Sequence, residues 1–141
     1  MIDHLYLFPD EAAAHAALDP LGFGFSASDE GPAGWDGSRV LPCRVVMGWE
    51  LGSYVDPENE LHTFEVPVYM PGFHVNVALP ELRPDLVAMP ECVLVTDRDA
   101  AAVEGATRAD FVLHTKVSPE TMDAVQEITP QFAGSRYPLG K

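Results

Sequence analysis

The chain has 141 residues, 47% of them apolar and 21% charged, which is ordinary usage for one folded domain able to bury about two thirds of its unfolded surface. Its 22 acidic and 8 basic side chains leave a formal charge of −14. That field repels phosphate backbones with no Lys/Arg cluster to offset it, so nucleic acid is not an expected partner; such a surface suits solubility first, and otherwise cation-rich surroundings or docking onto a basic patch of another protein.

The opening stretch "MIDHLYLFPDEAAAHAAL" carries acids where a signal peptide carries bases, and its apolar run from Leu5 to Phe8 is far too short for a membrane span. Neither export nor membrane insertion is expected. Ile2 to Phe8 reads as a strand, and Pro9 then leads into a helix with Asp10 and Glu11 in its first turn, favourable beside the positive end of the dipole. The helix is expected to stop at Asp19-Pro20, and its alanine-rich face to lie close against a sheet.

Residues 19–39, "DPLGFGFSASDEGPAGWDGSR", are dense in glycine and proline yet carry Phe23, Phe25 and Trp35. They read as a long loop with large apolar side chains, either a binding element or a flap over its own core. Val40 to Tyr54, Leu61 to Tyr69 and Phe73 to Leu79 are rich in β-branched and aromatic residues and are separated by "DPEN" and "PG". The expectation is a β-meander forming the central sheet, with Pro67 marking the second strand as an edge or a bulge.

After the proline-rich stretch from Pro80 to Pro90, Cys92 to Val95 reads as a strand and "TDRDAAAVEG" as a helix capped by Thr96 or Asp97 and ended by Gly105. Phe111 to Val117 reads as a further strand. In "SPETMDAVQEI", Ser118 is the N-cap, Pro119 the first helical residue, and Met122, Val125 and Ile128 form one stripe. The fold class is therefore α+β: one domain over residues 1–128, a mainly antiparallel sheet with two or three short helices packed on one side. Residues 129–141, "TPQFAGSRYPLGK", read as an irregular C-terminal arm.

Chemistry-bearing patterns are sparse. Phe73, Val75, Val77 and Leu79 face one way on their strand, which sets His74 and Asn76 side by side on the less apolar face. Such a pair can orient a water or an oxyanion, but no nucleophile-elbow pattern accompanies it, so a structural hydrogen-bonding role is the expectation. "DPENELH" offers Asp56, Glu58, Glu60 and His62 but lacks the glycine and the closing glutamate of a calcium loop, and reads as a solvated hairpin tip. Neither His4, His15, His62, His74 and His114 nor Cys43 and Cys92 show metal-site spacing; phosphate-binding glycine motifs are absent from the sequence. No cofactor and no metal is expected, and both thiols are expected to be buried and unbridged.

"HLYLFPDEAAAHAAL" together with "PGFHVNVAL" resembles a group of small, uncharacterised proteins encoded in the tail modules of tailed bacteriophages and prophages. Those proteins similarly open with a short strand and an alanine-rich helix, and carry a Gly-aromatic-His-Val-Asn strand near the middle; the likeness does not extend past residue 90. It implies a virion structural protein rather than an enzyme, an adaptor at the tail tip or fibres within a symmetric assembly. His74 and Asn76 would then be signature positions with no catalytic role. Other virion proteins are the implied partners and the virion, assembled in the host cytoplasm, the implied location. On the residue-level reading, docking would run through the 19–39 loop and the C-terminal arm, with Phe23, Phe25, Trp35, Phe132 and Tyr137 as anchors. Two rival readings stand beside this one. The first is a small metal-dependent or hydrolytic enzyme using His74, Asn76 and His114 with Asp56 or Glu58; the second is a ligand-binding or regulatory domain.

Overall fold

The computed structural model describes residues 1–25, 39–121 and 136–138. The elements in chain order are β1 (Ile2–Phe8), α1 (Glu11–Leu18), a 3-10 turn (Asp19–Leu21), β2 (Arg39–Val55), β3 (Leu61–Tyr69), β4 (Phe73–Leu79) and α2 (Pro84–Val87), then β5 (Cys92–Asp97), α3 (Arg98–Ala101), α4 (Arg108–Phe111), β6 (Val112–Thr115) and β7 (Arg136–Pro138). All pairings among the described residues are antiparallel. The fold is α+β, a mainly antiparallel sheet with short helices, as its alternating and helical segments require.

The first strand, although it starts the chain, lies at the centre: β1 pairs with β4 on one edge and β5 on the other. Its burial explains why, since Asp3 to Leu7 includes four consecutive buried residues, a run that suits a strand covered on both faces. One face of the sheet packs Tyr6, Phe8, Val75, Val77 and Val95 against Ala14 and Leu18 of α1 and Leu86 of α2. The opposite face gathers Leu5, Cys43, Val45 and Leu94. Cys43 and Cys92 are buried and unbridged, on opposite faces.

Local chemistry sets the helix ends. Asp10 is the N-cap of α1, its Oδ1 accepting the Ala13 N–H at 2.8 Å, so it sits just outside the first turn where the sequence had placed it inside. Asp97 caps α3 by accepting the Asp99 and Ala100 N–H groups. The α3 helix ends at Ala101, four residues before Gly105, and α4 appears where a strand had been expected to begin. A capping box between Thr107 and Asp110 nucleates α4, and that local pairing outweighs the strand propensity of Phe111. The α2 turn, unforeseen among the prolines, uses Pro84 in its first turn and buries Leu86. Ser118 Oγ accepts the Thr121 N–H, as expected of an N-cap; Met122, Val125 and Ile128 lie outside the described residues.

The expected meander is corrected. β3 and β4 are both antiparallel to β2, and they occupy its same edge one after the other: Val55↔Leu61 to Val46↔Tyr69, then Cys43↔His74 to Arg39↔Ala78. "PG" therefore does not reverse the chain. Between Val46↔Tyr69 and Cys43↔His74, β2 supplies residues 44 and 45 while the facing chain supplies 70 to 73, an irregular bulge with the Met70 N–H still donating to Val45 O at 2.8 Å. Gly72 makes it possible. Its φ is +102°, and a Cβ there would collide with the Leu7 side chain and crowd Phe8 O. Among the described residues, the result is one long hairpin whose root belongs to the sheet and whose outer half, β3 with the distal part of β2, leaves it as a two-stranded ribbon. Pro67 lies in that ribbon, at the end of the sheet order.

Candidate functional site

Three groups of residues come into consideration: the polar cluster on the middle strands, the hairpin tip, and the ribbon. On the middle strands, Asn76 Nδ2 donates to Asp3 Oδ1 at 2.9 Å, and Asp3 receives two further bonds from Arg98, Nε at 3.1 Å to Oδ2 and Nη2 at 2.7 Å to Oδ1. Asp3 and Asn76 are each 1% exposed. This network joins β4, β1 and the start of α3, and a fork-shaped guanidinium is well matched to a buried carboxylate. His4 is equally enclosed: its Nδ1–H donates to Val77 O at 3.1 Å and its Nε2 accepts the Arg83 N–H at 3.3 Å. Because Val77 O only accepts and Arg83 N–H only donates, the imidazole is neutral with its proton on Nδ1.

His74 is buried on the same face as Asn76, whereas His114 is not. The register sets Leu5 opposite Asn76 and Leu94, and His4 opposite Val77 and Val95, with Val95 opposite His114. His114 thus shares the face of His4, and His74 the other, so the sheet separates them. The constellation of His74, Asn76 and His114 is not assembled in this fold, and the sequence could not exclude it because its strand partners are nonlocal.

At the hairpin tip, Asp56, Glu60 and His62 bring ligand-type atoms within 4.8 Å of one another. Asp56 closes the turn with them: Oδ1 accepts the Glu58 and Glu60 N–H groups, each at 2.9 Å, and Oδ2 pairs with His62 Nε2 at 2.7 Å. The His62 bond, then the backbone N–H of Glu60 and Glu58, hold the Asp56 carboxyl below the usual carboxylate range. Asn59, with φ of +65°, completes a conventional tight turn.

The expected anchors divide. Phe23 and Phe25 are half-buried against the helix-side core, with Phe25 stacked on His15 at 4.1 Å and tilted against Phe73 at 5.9 Å. Tyr137 lies in β7, its backbone opposite Arg44 of β2. Trp35 and Phe132 lie outside the described residues.

The ribbon carries apolar side chains that the sequence reading had not singled out. Cross-strand pairing puts Trp49, Leu51 and Val55 with Leu61 and Pro67 on one face, and Tyr54 with Phe64, Val66 and Val68 on the other. Leu51 is 78% exposed and Leu61 67%, and Trp49, Tyr54, Val55, Phe64, Val66 and Tyr69 are exposed as well. On the second face Tyr54 stacks on His62 at 4.9 Å and Phe64 lies over Gly52, where a Cβ would come within 2.5 Å of the ring. At the root, the Arg44 guanidinium covers the Tyr69 ring at 5.1 Å. The available signal was alternation: apolar residues on both alternate sets, flanking a tight acidic turn.

In comparison with protein-family models, curated proteins and solved structures, the chain matches none. Among the described residues, no helix is long and apolar enough to cross a membrane.

Proposed function

We propose that the chain is a non-enzymatic structural protein of a larger assembly, docking through the β2–β3 ribbon. One observation carries this reading: a two-stranded ribbon exposes large apolar side chains on both faces. From Gly48 to Val55 it extends about 23 Å at roughly 3.3 Å per residue. Isolated hairpins are marginal in water, and contiguous exposed apolar surface marks interaction sites in soluble proteins. A partner that covers Trp49, Leu51, Val55 and Leu61 would remove both penalties at once.

The resemblance to phage tail-module proteins supplies the kind of assembly, a virion, and the buried state of His74 and Asn76 supports a role for that pair inside the sheet rather than in catalysis. The test is incorporation. Leu51→Asp combined with Leu61→Asp is expected to leave the isolated domain folded by circular dichroism and to remove it from purified particles on immunoblots. Particles that contain the double variant at the normal level refute the proposal.

A further inference from the structure

The charge on and around the ribbon narrows its occupant. Residues 48–69 contain Glu50, Asp56, Glu58, Glu60 and Glu65 and no Lys or Arg. Glu50 shares a face with Tyr54, Phe64 and Val66, and Glu65 shares the opposite face with Trp49, Leu51 and Leu61, so carboxylates border the apolar side chains on both sides. Asp56, Glu58 and Glu60 sit at the tip.

Among the described residues, a second copy of this chain offers no unengaged Lys or Arg to receive the ribbon. Its eight basic residues are scattered singly along the sequence, within a net charge of −14. Those whose side chains are described are engaged within their own chain: Arg83 with Asp85 in two bonds, Arg98 with Asp3, Lys116 Nζ with Pro90 O, and Arg44 over Tyr69, while Arg108 has an internal partner too. Ribbon-to-ribbon pairing would bring the carboxylates of two copies together, and like charges across an interface are strongly selected against.

Resting on the docking role proposed above, we infer that the ribbon is received by a different chain, in an apolar cleft rimmed by Lys and Arg. Apolar contact at the cleft floor supplies affinity. The basic rim steers the acidic ribbon, sets its register and excludes self-assembly.

The experiment places photoreactive benzoylphenylalanine at position 51 and, separately, at position 64 in the full chain, in cells that make the protein at its natural level. Crosslinked peptides are sequenced after irradiation of lysates at low and high salt, and the purified chain is sedimented in parallel. The expected result is a crosslink to another chain within a peptide of net positive charge. Its yield should fall at least about fivefold between roughly 0.05 and 0.5 M salt, as the screening length shrinks to a few ångströms. The purified chain should remain monomeric at both. A crosslink to a second copy, to an acidic or neutral peptide, or one indifferent to salt overturns the basic-cleft inference and leaves docking intact. Absence of any crosslink from both positions overturns the docking role itself, and the inference with it.

Discussion

Replacing Arg98 with Met tests the role assigned to the polar network. The substitution keeps most of the aliphatic bulk of a side chain that is 25% exposed and removes both bonds to Asp3, whose carboxylate has 2% side-chain exposure and keeps the bond from Asn76. Breaking a buried ion pair from one side costs about 3–5 kcal/mol, because the surviving charge is stranded away from water. Partial exposure at Arg98 lets some water reach the site, which places the expectation near 3 kcal/mol, the lower end. For a chain of this size, at about 4 °C per kcal/mol, the melting temperature should fall by roughly 12 °C. Asp3→Asn alone should cost less, about 1–2 kcal/mol, since the freed guanidinium can turn toward solvent. The double variant should be more stable than Arg98→Met, because it removes the stranded charge. Thermal and urea unfolding of the four proteins closes the double-mutant cycle. A loss below about 1 kcal/mol in Arg98→Met, or additivity of the two single changes, refutes the argument that this network knits β4, β1 and α3 together.

Gly72→Ala should destabilise by about 1–3 kcal/mol in urea unfolding, because alanine at φ +102° is strained and its Cβ meets Leu7; an unchanged midpoint would contradict the bulge geometry. Leu51→Asp and Leu61→Asp should each change stability by no more than about 0.5 kcal/mol in the isolated chain, since neither side chain joins the core. Tyr6→Phe should cost about 1 kcal/mol, the Tyr6 hydroxyl donating to Leu86 O at 3.0 Å in the core. The Asp19 carboxylate, with Glu11 assisting, raises the His15 imidazole above its ordinary value. The charged pair therefore favours the fold at pH below the ordinary histidine value, and this support is lost as pH rises through the raised one. Proton NMR of the His15 ring should give a midpoint above the ordinary value that drops in Asp19→Asn; identical midpoints would refute the pairing.

The short-range features were legible in the sequence. The period of two in Phe73 to Leu79 assigned Val75 and Val77 to one core face and His74 with Asn76 to the other, as observed. Helix α1 ends at Leu18 as its Asp19-Pro20 stop requires, and Ser118 caps as its Pro119 neighbour suggests. Each of these rests on residues within one turn or a few positions along a strand, where side chains and backbone impose their own geometry.

What depends on residues far apart in the chain was settled only by folding. Asp3 meets Arg98 across 95 positions and Asn76 across 73, and no local pattern distinguishes these from solvated polar side chains. His74 and His114 are separated by the sheet because of which strands pair, and "PG" became a bulge because β2 is long enough to hold β3 and β4 on a single edge. The ribbon's exposure has the same origin. Alternation fixes which side chains share a face, but whether a face is covered depends on what the rest of the chain, or another chain, lays against it.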